Sequence, residues 1–377
     1  MANELKLETI NEEETQYSDD SLYNIISFGS DMNLRQIVDM YEEGDIEKPD
    51  LQRKYVWNKN EASRFIDSIL LGLPVPSIFL AKCKDNRLLI VDGYQRIMTV
   101  NDFMHGIFSG DNKPFKLSDN ESINSKWRGK DFEDLPNELK RALRMYTIHA
   151  IIFEQKHPGD DTAMFQIFER INTGGRVLKP QEIRNCVYHG SFNNFLTELN
   201  KEECWRKILS QNKEDARMQD IELILRFFAF NDFSKMDEEK TYQINLTKYL
   251  NRYMYLKKDA NEETLEGMKK DFIRTITFLN KNIPDNKCFR TCKIKDNRRK
   301  WSTKLNPVIF ETVCYATNYA LNNKLVNEND SQLFDKYVKL ITDETFLTLC
   351  SQRTTNVENI KNRHKLTLDT LYGDHND

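Results

Sequence analysis

The sequence predicts an α+β chain, with a small mixed sheet in the first part and a mainly helical remainder. Three observations predict it. Strand-like runs occur at Ser77–Cys83, Leu88–Val91 and the β-branched Thr147–Phe153. From about residue 190 nearly every segment repeats its apolar residues with helical period. The composition shifts near the same point, which sets the domain boundary there. At 377 residues the chain is long enough for two domains, each with its own core. The divisions read from this are a mobile acidic tail over 1–20, a strand-containing domain over 21–190, a helical domain over 191–365 and a C-terminal tail over 366–377.

In chain order, residues 1–20 hold seven acids against Lys6, the balance of a solvated tail. Tyr23–Phe28 is a short strand candidate. Leu34, Ile37, Val38 and Tyr41 then share one helical face, closed by Gly44. A polar, basic and aromatic segment, Gln52–Trp57, precedes a strong helix over Lys59–Leu71, whose Ala62, Phe65, Ile66, Ile69 and Leu70 form one stripe. Gly72 stops it, and Leu73–Pro76 is extended because proline disfavours helix at itself and just before. Ser77–Cys83 and Leu88–Val91 pair antiparallel across a turn at Lys84–Arg87. Residues 106–146 are less regular, with Trp127 and Phe132 as anchors, and Thr147–Phe153 rejoins the sheet. Asp160–Ile171 reads as a helix ending in Asn172–Gly175, a turn able to take positive φ. Pro180 opens the next helix at a favoured position. Helical segments follow at Phe192–Leu199, Cys204–Leu209, Met218–Phe230, Leu246–Leu256, Thr264–Leu279, Pro307–Leu321 and Leu333–Ile341, without a fixed-period repeat.

Composition removes several function classes. No apolar run approaches the roughly 20 residues that span a bilayer, and the first residues lack a hydrophobic signal core. The reading is therefore a cytoplasmic protein with no membrane partner. Seven scattered cysteines suit free thiols better than a disulfide framework. A net charge of -4 means that any nucleic-acid surface must be local. The histidines are dispersed, and there is no zincin motif, catalytic Ser-His or Cys-His pattern, His-centred nuclease segment, P-loop or Rossmann fingerprint.

Two stretches carry chemistry. In Leu88–Asn101 a buried strand ends at Asp92-Gly93, and from Arg96 the spacing Ile97, Val100, Met104 is helical. Gly93 permits the sharp bend, and a helix N-terminus presents unpaired N–H groups suited to an anion. Asp92, Tyr94, Gln95 and Arg96 then cluster as a phosphate or metal-phosphate site. The plainer alternative is a β–α turn with Asp92 as helix cap and Arg96 paired to a surface acid. Between Lys281 and Lys304, nine cations face only Asp285 and Asp296, with Phe289 and Trp301 interleaved. Arg290, Lys293, Arg298, Arg299 and Lys300 are its candidates for a nucleic-acid backbone, against the alternative of a solvated basic loop. Cys288 and Cys292 lack a second pair at zinc-ligand spacing.

Five pieces in order resemble the N-terminal domain family of GmrSD-type restriction endonucleases, a ParB-like group with a D-G-Q-Q-R signature. They are Gln52-Arg53 with Trp57, the Leu71–Pro76 connector, Asp92-Gly93-Tyr94-Gln95-Arg96, and Phe168–Gly175 followed by Leu178–Asn185. The resemblance spans roughly residues 20–190. It implies a ParB/sulfiredoxin-like core whose turn handles a nucleoside triphosphate with Mg²⁺, in a system defending against phage or foreign DNA. Carried onto this chain, Arg96 contacts phosphate, Asp92 holds a metal-bound water or acts as base, and Gln95 positions a phosphate oxygen or water. Gln52, Arg53 and Trp57 flank the same pocket with Gly93 and Tyr94, Arg53 and Trp57 offering a cation and a stacking face. Asn172, Gly174 and Gly175 offer backbone N–H groups. Tyr94 departs from the signature's first glutamine and loses the amide's paired donor and acceptor.

The functional reading is a nucleotide-binding, NTP-hydrolysing, regulatory or DNA-sensing component of a bacterial restriction-type defence system. Two alternatives stay open. One is a non-catalytic DNA- or protein-binding module with a vestigial pocket. The other is a ParB-like nuclease using Asp92, with Glu182, around a metal. DNA and a separate nuclease subunit are the partners implied, and a homo-oligomer is compatible.

Overall fold

Strand β1 (Asn24–Asn33) passes directly into helix α1 (Leu34–Glu43) at Asn33, whose side chain accepts from the Gln36 N–H at 2.8 Å. Gly44, left-handed at φ 82°, ends that helix. The computed structural model describes residues 4–10, 24–47, 57–83, 86–157, 162–171, 178–236, 240–284, 287–295, 298–326 and 330–373. It comprises two units: residues 19–178 with 185–187, and residues 1–18 with 179–184 and 188–377.

The first unit continues with β2 (Ile46–Glu47), α2 (Lys59–Leu70), β3 (Ile78–Lys82), β4 (Leu88–Asp92), α3 (Tyr94–His105), the short pair β5 (Ile107–Phe108) and β6 (Lys113–Pro114), α4 (Asn137–Met145), β7 (Thr147–His157) and α5 (Thr162–Ile171). Its sheet runs β1-β7-β3-β4-β2. The β1/β7 and β3/β4 pairs are antiparallel, while β3/β7 and β2/β4 are parallel, so the α+β reading with a mixed sheet holds. An Asn58 capping box starts α2, which buries Ala62, Phe65, Ile66 and Ile69 on the predicted stripe. These join Ile78, Leu80, Ile97 and Phe103 in one core. The irregular stretch is tied down as well. Asp67 accepts from Trp127 Nε1 at 2.7 Å and from the Asn124 N–H at 2.9 Å, and Phe132 packs edge-on against Phe103.

The second unit is built from α7 (Ser191–Leu199), α8 (Glu203–Leu209), α9 (Gln219–Asn231), α10 (Leu246–Lys257), α11 (Glu262–Asn282), the hairpin β8 (Cys292–Lys295) and β9 (Arg298–Trp301), α12 (Pro307–Asn322), α13 (Leu333–Thr342), α14 (Glu344–Leu349) and α15 (Val357–Tyr372), preceded by α6 (Pro180–Val187), which contributes residues up to Arg184. The division in the sequence thus falls at Leu178, ahead of residue 190, because Glu182 and Arg184 pair with Arg217 and Glu222 of the helical unit. The described parts of the two predicted tails, residues 4–10 and 366–373, are tied into the helical unit. Leu5 is buried, its N–H bonds Asp215, and Glu8 accepts from Thr291 Oγ1 at 2.7 Å and Asn306 Nδ2 at 2.9 Å. Apolar Leu5 and the two accepting oxygens of Glu8 outweigh the local excess of acid. At the other end α15 continues past residue 365, burying Leu371. Among the described residues no helix is long and apolar enough to cross a membrane, and all seven cysteines are free thiols.

A line of alternating charge runs through this unit. Arg184 Nη2 lies 2.5 Å from Glu222, Arg226 bridges Glu222 at 3.4 Å and Glu311 at 3.3 Å, and Arg363 Nη2 meets Glu311 at 2.6 Å. Glu311 and Arg363 are fully buried. Burial raises the Glu222 carboxyl pKa, but Arg184 and Arg226 together outweigh this and hold it below the usual carboxylate range. Removing one member leaves an unpaired buried charge, so Glu311→Ala should lower unfolding free energy by about 3–5 kcal/mol in a urea titration. The pH dependence has a definite sign. A depressed folded pKa stabilises above the ordinary value of 4.5 and loses that contribution as pH falls through the folded value. The stability gap between wild type and Glu222→Gln, measured by thermal melts, should therefore be full at neutral pH and shrink in acid.

Candidate functional site

The bend between β4 and α3 is built by crowding. Gly93 is buried at φ 104°, a conformation costly for a residue with a side chain. A Cβ placed there would lie 2.5 Å from Ile78 Cγ2 and 3.3 Å from Arg96 Nη2, so β3 leaves no room for one. Gly93 is also the N-cap of α3, and no side chain caps that end. Gly93 has no side chain to offer the first-turn N–H groups, and the Ile97 N–H closes on Gly93 O at 3.0 Å. Asp92 is not the helix cap.

Its partner is Arg96, whose Nη2 donates to Asp92 Oδ2. The two side chains differ in exposure, 40% for Asp92 and 13% for Arg96. Arg96 is turned inward over an apolar cavity of about 10 Å³ lined by Leu34, Ile37, Phe65, Ile78 and Ile148. That volume holds roughly one water. The Arg96 Nε is buried there without a hydrogen-bond partner among the described residues. Asp92 is thus the solvent-facing member of the pair, and Arg96 orients it from beneath.

Gln95 Oε1 accepts the Trp57 N–H at 3.3 Å, fastening the turn to the residue before α2. Trp57 itself packs edge-on against Phe65 at 5.5 Å. Tyr94 is half-buried against the core. Burial lifts its phenol pKa well above the ordinary value, and the nearby Tyr41 and Asp102 charges add to the shift. Its hydroxyl is held neutral on the α1 side of α3. Gln52, Arg53, Asn172, Gly174 and Gly175 lie outside the described residues. The structure brings Asp92, Gly93, Gln95, Arg96 and Trp57 to one place.

The family comparison bears on this segment. Residues 34–189 match the model of the GmrSD restriction endonuclease, N-terminal domain. These residues belong to that family. Membership of the GmrSD N-terminal domain family implies a component of restriction-type phage defence. No curated protein and no solved structure matched the chain.

Within the GmrSD N-terminal domain the signature occupies the β4–α3 bend, and Tyr94 is its one departure. Sequence reasoning passed over Asp102, a buried acid of α3 that accepts from the Ser109 N–H at 2.7 Å and Oγ at 2.8 Å. Burial raises its carboxyl pKa, partly offset by those two bonds. Its position among the apolar residues of α3 was the available signal. Glu182 and Arg184 are structural, as their pairs above show, and Glu182 also accepts the Lys179 N–H at 2.7 Å. Among the described residues no group of three or more His, Cys, Asp or Glu is placed to hold a metal.

The cationic stretch lies beyond the matched residues and forms the β8–β9 hairpin. Lys293, Arg298, Arg299 and Lys300 are exposed on it. Arg290 is not. It is buried, its Nη1 donates to Cys288 O at 2.9 Å, and burial lowers its pKa, which removes it from the nucleic-acid candidates. Of the site residues, Gly93 has the sharpest steric requirement. Gly93→Ala should destabilise the sheet unit by about 2–4 kcal/mol from backbone strain and the Ile78 clash together, read by denaturant unfolding.

Proposed function

We propose that the Asp92–Arg96 turn binds the phosphate chain of a Mg²⁺-bound nucleoside triphosphate, hydrolyses it, and so regulates a restriction-type defence complex that includes a separate nuclease subunit. One observation carries this reading: a left-handed glycine, a helix N-terminus with no side-chain cap and a solvent-facing carboxylate meet at a single bend. The backbone N–H groups at a helix start and the positive end of its dipole favour phosphate oxygens. Mg²⁺ is usually held by one or two carboxylates together with phosphate and water oxygens, and Asp92 would supply one such carboxylate. The ion would supply neutralisation of the phosphate charge.

In this reading Arg96 is a positioning residue. It holds Asp92 in place and lowers the cost of its negative charge beside the phosphates. Asp92 is the group able to accept a proton from an attacking water, and Gln95, steadied by the Trp57 backbone, lies beside the same helix end to orient it. Gln52, Arg53, Asn172, Gly174 and Gly175 are the further members proposed for the pocket, with Trp57 at its edge.

The test is calorimetry of the full chain with ATP, GTP, CTP and UTP in the presence of Mg²⁺, followed by a phosphate-release assay on whichever binds. At least one should bind, and Asp92→Ala and Arg96→Ala should each weaken it by about tenfold or more while circular dichroism is unchanged. If all four fail to bind, or if Arg96→Ala is indistinguishable from wild type, the reading falls. Binding without phosphate release would remove hydrolysis and keep binding.

A further inference from the structure

The β8–β9 hairpin pairs Lys293 with Lys300 and Lys295 with Arg298. Strand alternation places positions 293, 295, 298 and 300 on one face of the ribbon. Like charges directly opposite one another destabilise an isolated pair of strands. Here nothing nearby relieves them: among the described residues Lys293, Arg298 and Lys300 are exposed and have no acidic partner. The base of the hairpin is packed. Cys292 is buried, Trp301 stacks on Phe334 at 6.2 Å, and Lys287 sits over both rings at 5.8 and 5.1 Å. The Ser302 N–H donates to Thr291 O at 2.9 Å, one step below the first strand pair.

We propose that this hairpin is a docking prong for double-stranded DNA, entering the major groove with its cationic face toward the phosphates. A two-stranded ribbon fits the width of that groove. Three features select this partner over other polyanions. Single-strand binders present free aromatic platforms, whereas Trp301 is already covered by Phe334 and Lys287. A-form RNA has a major groove too narrow for the ribbon. A membrane-inserting hairpin needs an apolar face, and on β8–β9 only Ile294 is an exposed large apolar side chain. With an overall charge of -4, attraction to a polyanion has to come from a local surface such as this one. The inference does not depend on the nucleotide reading, because it concerns another surface and is tested without nucleotide.

Fluorescence anisotropy of a short labelled duplex, titrated with the full chain across a salt series, tests it. Replacing Lys293, Arg298 and Lys300 together by Ala removes cross-strand repulsion as well as charge, so the fold should persist by circular dichroism. Affinity should fall by about tenfold or more, and the slope of log K against log salt should flatten by about 2 to 3, the share of three phosphate contacts. A charge-preserving variant, Lys293→Arg with Lys300→Arg, should bind as wild type. The proposal is overturned if wild type binds no duplex, if the alanine variant keeps affinity and slope, or if single strands, duplex RNA or acidic phosphatidylserine vesicles bind more tightly than duplex DNA.

Discussion

Contact between the Gly93 backbone and the Ile78 side chain decides where β4 ends and α3 begins. Because β3 presses against that bend, only a residue without a Cβ can pass through it, and the chain turns in the left-handed region. Three consequences follow from the one constraint. The N-cap position falls to glycine, which has no side chain to satisfy the first-turn N–H groups. Arg96, three residues on, is carried under the turn and over the small cavity. Asp92, the last residue of the strand, is left at the surface with its carboxylate fastened from below. The turn is therefore closely packed and polar at once, which suits the phosphate site of the proposed reading.

The helical unit is held by a different rule. Its buried charges do not gain stability relative to well-packed apolar residues, since desolvation consumes most of the Coulomb attraction. What they supply is discrimination. Arg363 meets Glu311, the Thr354 carbonyl at 2.6 Å and Thr312 Oγ1 at 3.1 Å, while Arg184 meets Glu222 and the Gln181 amide oxygen at 2.8 Å. Sliding α9, α12 or α15 by a residue would strand a guanidinium or a carboxylate among apolar neighbours. The observed packing pairs each of these charges, which disfavours other registers of the three helices.

This division explains what the sequence made visible. Elements with an apolar stripe and a chemical stop were legible: α1 between Asn33 and Gly44, α2 from its capping box to the left-handed Gly72, and α12 behind Pro307. The β4–α3 bend was legible because Asp-Gly after four apolar residues has few other readings. Helix α15 was not, since Arg363, His364 and Thr367 occupy inward positions where periodicity looks for apolar residues. Arg363 is paired with Glu311 and His364 stacks on Tyr315, both far away in the chain, and no local window contains them. The β8–β9 hairpin was hidden in the same way: lysine and arginine stand where strand propensity looks for β-branched side chains. Arg290 misled for the opposite reason, because a cation inside a basic run carries no mark that its own carbonyl neighbour two residues back has claimed it.

Tyr94 shows how far a signature can be followed when one member changes. A glutamine there would bring an amide to the helix start, able to read a base edge through paired donor and acceptor. The tyrosine is instead drawn toward α1, where its ring packs against the core and its hydroxyl, beside Tyr41 and Asp102, stays protonated. What remains at the bend is backbone N–H, one carboxylate and the Gln95 amide already bonded to Trp57. On the proposed reading these groups suit phosphate and a hydrated cation, and none of them would distinguish one base from another. On the proposed reading, base selection in this chain therefore falls to residues away from the bend, and the turn contributes affinity for the triphosphate rather than a choice among nucleotides.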